Sequence, residues 1–188
     1  MKPPYVRERL ALPAGSVHTE RLSLRPFAAR DVTTIMAMDT DPEVMRYIPG
    51  HLVLPDAVEA HVQAFLADLE TGERYKFFYA IDWQDSPAAD DDALGWVLLR
   101  PTEDGRWIEL GYRLRRAAWG AGVATEASKA MLDIAFDQWG VARVMAAILP
   151  GNARSRRVVE KLGFAYRGID RFYDEDCWLF VLDGDGNG

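Results

Sequence analysis

The chain has 188 residues, a length that favours one domain with its own hydrophobic core. Its 49% hydrophobic and 27% charged residues are typical of a soluble globular protein, no apolar run is long enough to cross a membrane, and the formal net charge of −7 argues against nonspecific binding to nucleic acid. The single cysteine, Cys177, excludes an internal disulfide, and the charged, proline-containing start of the chain is unlike a signal peptide, so we expect a cytoplasmic protein.

The first half of the chain predicts one strand followed by three helices. Residues 1–18 contain three prolines and no hydrophobic period, which is typical of a flexible N-terminal arm. Alternation of apolar and polar residues over 20–27 then predicts the first strand. Short helices are expected after Asp31, a candidate N-cap, and after Asp41, and a longer helix is expected over 55–71.

The second half predicts the rest of a mixed sheet. Runs of apolar and β-branched residues indicate strands at 77–81, 94–99, 107–114 and 142–149, and Phe164 and the 176–182 segment are expected to complete the sheet. Helical periodicity predicts one helix from Gly122 to 138 and another over 152–162. We therefore predict an α+β chain with one domain at 19–182 and a disordered polar tail at 183–188.

Two acidic stretches imitate metal sites. Residues 90–92 are three consecutive aspartates in a loop rich in alanine and proline, where a solvated hairpin tip explains them more simply. The tail at 183–188 reads D-G-D-G-N-G and imitates the start of an EF-hand loop, but neither the glutamate of loop position twelve nor flanking helices accompany it. We therefore expect no metal site.

A glycine-bearing turn at 119–127, W-G-A-G-V-A-T-E-A, lies between a predicted strand and a predicted helix. Gly120 and Gly122 lack Cβ, so the turn can adopt positive φ and its amides can approach a ligand closely. Such a turn also serves simply to change the direction of the chain. A helix N-terminus nevertheless suits a phosphate or pyrophosphate, because its first N–H groups have no helical partner. The Rossmann and P-loop patterns do not fit, since Thr125 and Val123 stand where those patterns need a small residue and a lysine.

This turn resembles the acyl-CoA pyrophosphate loop of the GNAT superfamily of N-acetyltransferases, in the form typical of its ribosomal-protein N-terminal acetyltransferase (RimJ/RimL-like) branch. Further stretches match the branch in order and spacing: T-E-R-L-S-L-R-P-F at 19–27, I-E-L-G-Y-R-L at 108–114, N-A-R-S at 152–155 and E-K-L-G-F at 160–164. The resemblance covers 19–182. It implies the GNAT fold, a single domain whose central mixed, mostly antiparallel β-sheet is flanked by helices, and acetyl-CoA as the co-substrate.

The resemblance also implies which residues contact the cofactor. The end of the 107–114 strand is expected to splay from its neighbour and to pair its main chain with the pantetheine arm, while the loop holds the pyrophosphate. Asn152 matches the family asparagine near the pantetheine, although it also fits an ordinary helix N-cap. The residues expected to contact the cofactor are Tyr112, Arg113, Leu114, Trp119, Gly120, Ala121, Gly122, Val123, Ala124, Thr125, Asn152 and Ser155.

Acetyl transfer to an amine needs a base for the amine, a donor for the carbonyl oxygen and an acid for the leaving thiolate. Many relatives use a tyrosine seven positions after the asparagine as the acid, but Val159 stands there, and Ser155 matches the serine suggested as its replacement in the ribosomal branch. Glu109 is the first candidate for the base, with a paired structural carboxylate as the alternative role. Further candidates are His51, Tyr173, Asp174 and Glu175.

Together these residues predict an acetyl-CoA-dependent N-acetyltransferase in which the amine attacks directly, with a protein or peptide N-terminal α-amine as the acceptor. A small-molecule amine, such as an aminoglycoside, a polyamine or an amino-acid analogue, is the alternative. The sequence does not separate the two, because the acceptor is expected to contact the variable loops near 47–55, 72–76 and 170–176. Loss of the usual acid at Val159 also leaves open a non-catalytic acyl-CoA sensor. A homodimer formed through a sheet edge near the C-terminal strands is a further alternative.

Overall fold

Strands and helices follow one another in the predicted order, with one additional short strand, Val17–His18, at the start. The computed structural model describes residues 10–48, 52–73, 75–85 and 93–184. The strands in these ranges are β1 (Val17–His18), β2 (Leu22–Pro26), β3 (Phe78–Trp83), β4 (Gly95–Pro101), β5 (Ile108–Leu114), β6 (Arg143–Ile148), β7 (Ala165–Phe172) and β8 (Glu175–Asp183). The helices are α1 (Val32–Asp39), α2 (Pro42–Met45), α3 (Val58–Thr71), α4 (Val123–Asp133), which continues as a π-helical segment at Ile134–Gln138, and α5 (Ala153–Lys161). None of the helices in the described ranges has the length and apolar character needed to span a membrane.

The eight strands of the described residues form one sheet in the order β1-β2-β3-β4-β5-β6-β8-β7. All neighbouring strands pair antiparallel except β5 and β6, which are parallel. The predicted α+β class and the expected central sheet, mixed and mostly antiparallel with helices on its faces, are therefore confirmed.

Helices cover both faces of the sheet and bury two separate apolar clusters. Met131 of α4 and Val159 of α5 belong to the larger cluster, together with Leu110 of β5. On the opposite face Met38 of α1 and Phe65 of α3 form a smaller cluster with Trp96 of β4. Because side chains alternate along a strand, β5 presents one set of residues to each helical layer. We call these layers the α4/α5 layer and the α1–α3 layer.

The described residues at both ends of the chain pack against the domain, which differs from the predicted flexible arm and disordered tail. Residues 10–18 of the predicted arm lie against the domain: the Trp139 indole donates a hydrogen bond to the Ala11 carbonyl at 3.1 Å, and Val17–His18 pairs with β2. Residues 17 and 18 thus belong to the sheet, a two-residue strand too short to show a period. At the other end Asp183 closes β8 and the Gly184 amide donates to the Ala142 carbonyl at 2.9 Å. Residues 1–9 and 185–188 of the predicted arm and tail fall outside the described part.

Asp31 precedes α1 as predicted but does not cap it. Its carboxylate makes no capping hydrogen bond to α1 and instead accepts from the Ala28 amide at 2.8 Å and from Arg25 at 2.7 and 2.8 Å. Asp31 is only 1% exposed, and a buried carboxylate needs a cationic partner more than a helix needs a cap. The nearby Asp41 does cap α2, by accepting from the Glu43 amide at 2.9 Å.

Candidate active site

The sheet divides between β5 and β6. These strands pair only through Ile108 with Val144 and Glu109 with Met145, whereas β5 stays paired with β4 as far as Leu114. A cavity of about 370 Å³ occupies the gap that opens beyond Glu109. Its lining includes residues of β5 and β6 and side chains from both helical layers, so the cavity passes through the sheet.

Glu109 lies on the side of this cavity that faces the α1–α3 layer. It is 7% exposed, and it accepts hydrogen bonds from the Tyr173 hydroxyl and from Arg100 Nε, the latter at 3.0 Å. Arg100 also donates to the Tyr173 hydroxyl at 2.9 Å, which closes a three-membered network. The pairing of Glu109 with Arg100 shows that its carboxylate does have a structural partner.

Tyr173 is brought to Glu109 by the tight turn between β7 and β8. Tyr173 and Asp174 both have positive φ, 54° and 61°, which is uncommon for residues other than glycine. Burial of the hydroxyl, and then the negative charge of Glu109, raise the pKa of Tyr173 well above its usual range. At neutral pH Tyr173 is therefore a phenol that donates to Glu109.

A second carboxylate lies in the cavity wall contributed by the α1–α3 layer. Asp39 of α1 accepts a hydrogen bond from Arg113 Nη1 of β5, and its other oxygen lies 2.9 Å from His61 Nε2 of α3. The Arg113 guanidinium also lies 5.1 Å from the centre of the Trp96 ring. The side chain of Arg113, a residue predicted to contact the cofactor, thus points to the layer opposite α4 and α5.

The N-terminus of α5 forms the opposite side of the cavity. Asn152 caps the helix by accepting from the Ser155 amide at 3.1 Å, which confirms the ordinary capping role. The Tyr112 hydroxyl donates to the Ser155 carbonyl at 3.2 Å, and burial raises the pKa of Tyr112 to about 12. Val159, one turn further along α5, is fully buried and lines the same cavity.

The glycine turn precedes α4 as predicted. Gly120 and Gly122 have φ of 80° and 81°, the left-handed conformation in which glycine avoids the strain of a Cβ. A Cβ on Gly120 would meet no atom within 4 Å, so the space above the turn is open. The first hydrogen bond of α4 runs from the Glu126 amide to the Gly122 carbonyl at 3.0 Å. The amides between these residues are therefore the N-terminal groups that an anion could bind.

Glu126 joins this turn to the start of β2. Its carboxylate accepts from the Thr19 hydroxyl at 2.6 Å, from the Arg21 amide at 2.9 Å and from Arg21 Nε at 2.7 Å. Arg21 Nη1 also donates to the Ala121 carbonyl at 3.1 Å. A second cavity of about 650 Å³ lies beside these contacts and includes Gly122 in its lining. Two of the stretches on which the family resemblance rests are thus in direct contact.

A protein-family model for an acetyltransferase (GNAT) domain matches residues 21–165. The chain belongs to the GNAT acetyltransferase family. It is accordingly an acyltransferase enzyme that transfers acetyl groups. The non-catalytic sensor that Val159 left open has no support from this assignment.

Three relatives of this GNAT protein match it over most of their length. It is 32% identical to the uncharacterized protein YkkB of Bacillus subtilis, over 86% of this chain and 92% of YkkB. It is 28% identical to the uncharacterized N-acetyltransferase p20 of Bacillus licheniformis, over 89% of this chain and 95% of p20. The FsC-acetyl coenzyme A-N(2)-transacetylase of Aspergillus fumigatus is 26% identical, over 85% of this chain and 68% of that protein.

Solved structures share the fold of this GNAT protein. A GNAT-family acetyltransferase from Bacillus anthracis superposes with a TM-score of 0.71 at 21% identity, covering 89% of this chain and 98% of that chain. RimJ of Mycobacterium smegmatis in complex with CoA-disulfide gives 0.67 at 21% identity, covering 86% and 81%.

The GNAT cavity brings together some of the predicted site residues and leaves others apart. Those that line it are Glu109, Tyr112, Arg113, Asn152, Ser155 and Tyr173. Leu114 is buried in the larger core, Trp119 donates to the Leu114 carbonyl at 2.9 Å, and residues 120–125 lie outside the lining of this cavity. Asp174 and Glu175 are exposed, and His51 and residues 90–92 fall outside the described part. In the described ranges, no cluster of three or more histidine, cysteine or acidic side chains could hold a metal ion.

Among the polar residues that line the GNAT cavity, the sequence prediction did not assign Arg100, Asp39 or Cys177 to the site. Arg100 pairs directly with Glu109 in the β4–β5 register, so the alternation of the two strands was the signal that pointed to it. Asp39 closes a helix that the sequence did predict, but Arg113, its partner, lies 74 residues away in the chain.

Proposed function

We propose that this GNAT enzyme moves the acetyl group of acetyl-CoA to a primary amine by direct attack of the amine on the thioester. The observation that carries the proposal is the cavity through the divided sheet, which is lined by residues of both helical layers. A thioester can enter this cavity beside α4 and α5, and an amine can enter it beside α1–α3. The two reactants can therefore meet inside the protein.

The donor side of the cavity suits acetyl-CoA. The Gly120–Gly122 turn and the N-terminus of α4 supply amides for the pyrophosphate, and the main chain of Tyr112 to Leu114 runs along the divided edge, where the pantetheine arm can pair with it. One β5 amide then faces the thioester oxygen and stabilises its developing charge. The Aspergillus fumigatus relative carries acetyl coenzyme A in its name, which supports the same donor here.

The acceptor side provides a base. We assign Glu109 to receive the proton of the amine through the Tyr173 hydroxyl, because Tyr173 is the more exposed of the two and already donates to Glu109. The amine proton passes to the Tyr173 oxygen as the phenolic proton passes to Glu109. Ser155 lies across the cavity beside the N-terminus of α5, where its hydroxyl can donate a hydrogen bond to the departing sulfur.

Direct attack is favoured over an acetyl-cysteine intermediate. Cys177 lines the cavity but is 1% exposed. Burial, and then the negative charges of Glu175 and Glu109, raise the pKa of the Cys177 thiol. A thiol in this environment is rarely ionised at neutral pH and is a weak nucleophile.

The acceptor that we propose is the α-amine of a protein or peptide N-terminus. An α-amine has a pKa of about 8, against about 10.4 for a lysine side chain, so it loses its proton at a smaller cost. The motifs at 19–27, 119–127 and 152–164 resemble the RimJ/RimL-like branch, which supports a peptidic acceptor. A small-molecule amine is the second candidate. The name of the Aspergillus fumigatus relative, FsC-acetyl coenzyme A-N(2)-transacetylase, refers to a nitrogen, N(2), and does not mention a protein N-terminus.

Acetyl-CoA turnover, measured as release of free thiol, tests the proposal against peptides with N-terminal serine, alanine or threonine, polyamines and aminoglycosides. Each peptide is paired with the same peptide acetylated at its N-terminus. We expect thiol release with free N-termini and none with blocked ones. Release with polyamines or aminoglycosides alone would overturn the peptide acceptor, and CoA binding without release on any amine would overturn N-acetyl transfer to these classes.

A further inference from the structure

The thiolate that leaves acetyl-CoA must take up a proton, and Val159 provides none. Beside α5 the cavity lining includes the hydroxyl-bearing side chains of Tyr112 and Ser155, and the Tyr47 ring lies against Gly151 just before the helix. We propose that the Tyr112 hydroxyl is the general acid that protonates the departing sulfur of CoA. This inference rests on the proposed acetyl-CoA-dependent transfer and gives a chemical role to a side chain that the sequence assigned only to cofactor contact.

The position of Tyr112 follows from where β5 leaves β6. Tyr112 comes three residues after Glu109, the last β5 residue paired with β6, and its ring packs against the larger cluster of the α4/α5 layer. Alternation along β5 therefore sends Tyr112 and Glu109 to opposite faces of the sheet. The amine and the leaving thiol are thus served by groups on opposite sides of the thioester.

The Tyr112 hydroxyl makes a hydrogen bond that connects strand β5 to helix α5. It donates to the Ser155 carbonyl at 3.2 Å, in the first turn of α5. Ser155 and Val159 are four residues apart in this helix and so share one face, which lines the cavity. The hydroxyl therefore reaches the helix face whose Val159 side chain carries no proton donor. The positive end of the α5 dipole lies at the same place and favours a developing thiolate.

The hydroxyls of Tyr112 and Ser155 differ in acid strength. A phenol is a stronger acid than the aliphatic alcohol of Ser155. Burial raises the pKa of Tyr112 to about 12, and an interaction with the Ser155 side chain acts in the opposite direction. Tyr112 is therefore fully protonated at neutral pH, and Ser155 orients and tunes it while hydrogen-bonding the sulfur.

The step balances as follows. The amine attacks in its neutral form: its nitrogen bonds to the carbonyl carbon, and the carbonyl electron pair moves to oxygen. The nitrogen then gives up one N–H proton, which passes through the Tyr173 hydroxyl to Glu109. When the carbonyl forms again, the C–S bond breaks and its electron pair leaves on sulfur. The Tyr112 O–H proton passes to sulfur to give the CoA thiol, and the phenolate is protonated again from water.

Tyr112→Phe tests the inference because it keeps the ring and removes the hydroxyl, with Tyr166→Phe on the exposed part of β7 as the matched control. With a peptide that has an N-terminal alanine as the acceptor, we expect Tyr112→Phe to lower kcat by about 100-fold. The KM for acetyl-CoA should stay unchanged. Ser155→Ala should lower kcat less, and Tyr166→Phe should not change it. A kcat for Tyr112→Phe within twofold of wild type overturns the inference.

A second measurement needs no acceptor. Ultraviolet difference spectra of bound CoA across pH follow the ionisation of its thiol. A hydroxyl that donates to sulfur stabilises the thiolate, so we expect the midpoint of this titration to move to higher pH in Tyr112→Phe and to stay in place in Tyr166→Phe. An unchanged midpoint in Tyr112→Phe means that the hydroxyl does not reach the sulfur. A wild-type protein that binds no CoA would contradict the proposed function itself, which separates the two failures.

Discussion

Glu109 has a structural ion pair in addition to its proposed role as the base. Its contact with Arg100 offsets the cost of burying a charge, while Tyr173 connects it to the more exposed side of the cavity. Strand alternation sufficed to place Glu109 on one face of the sheet. The partnership with Tyr173 could not be predicted, because the two residues are 64 positions apart and meet only through a turn with two positive φ angles.

Glu109→Gln tests the base. Glutamine keeps the shape of the side chain but has no carboxylate to take up the proton, so we expect kcat to fall by at least about 100-fold with the KM for acetyl-CoA unchanged. The control is Glu103→Gln, an exposed carboxylate in the turn before β5, which should leave both constants as they are. Full activity of Glu109→Gln on an accepted amine would rule out Glu109 as the base.

At the scale of elements, the turn before α4 was the part of the site most fully predicted. The two glycines, the helix start and the open space above the turn follow from local sequence, because positive φ and unpaired amides are properties of a few consecutive residues. The brace from Glu126 to Thr19 and Arg21 was not predicted. Its partners are more than 100 positions apart, and no local pattern indicates them.

Gly120→Ala separates backbone strain from loss of cofactor binding. Gly140 has the same left-handed backbone, with φ of 61° against 80°, and a Cβ would meet no atom within 4 Å at either position. We expect each alanine variant to lose about 1 to 2 kcal/mol of unfolding free energy. Calorimetric titration should show weaker CoA binding, by about tenfold, only for Gly120→Ala. Equal CoA affinity in both variants would argue that the turn does not hold the pyrophosphate.

Glu126→Gln tests the brace through pH. Although burial acts to raise it, hydrogen bonds from Thr19 and Arg21 hold the pKa of Glu126 below its usual range. The stabilisation is therefore complete above the unfolded-state value of about 4.3 and is lost as the pH falls through the lower folded-state value. We expect Glu126→Gln to lower the unfolding free energy by about 1 kcal/mol at pH 7. Denaturant titrations at pH 7 and pH 3 should show this difference shrinking in acid; a constant difference would mean that the charge is irrelevant.

At the scale of the whole molecule, the divided sheet is what makes a continuous cavity. Antiparallel partners hold β5 on its β4 side and β6 on its β8 side, so the gap between them opens without unravelling either strand. The sequence predicted the class and the order of elements from periodicity. It did not predict that β8 lies between β6 and β7, or where β5 and β6 part, because strand neighbours are set by long-range packing.

Met131→Ala tests whether the larger core supports the whole fold and not only the site. Met131 is fully buried beneath α4, and its loss leaves a cavity that the surrounding side chains fill only in part. We expect a loss of about 2 to 5 kcal/mol of unfolding free energy. Met36→Ala, at a partly buried position on α1, should lose less. Equal losses measured by denaturant unfolding would contradict a stabilising role that follows from the complete burial of Met131.

The central claim is that an acetyl thioester enters the gap between β5 and β6 and meets its amine there. A crystal structure of the protein with acetyl-CoA is the most direct measurement. We predict the pyrophosphate on the turn at 120–125, the pantetheine arm along Tyr112 to Leu114, and the sulfur within hydrogen-bonding distance of the Tyr112 hydroxyl. A cofactor seated instead in the second cavity beside Arg21, with its thioester outside the divided sheet, would contradict this assignment of the site.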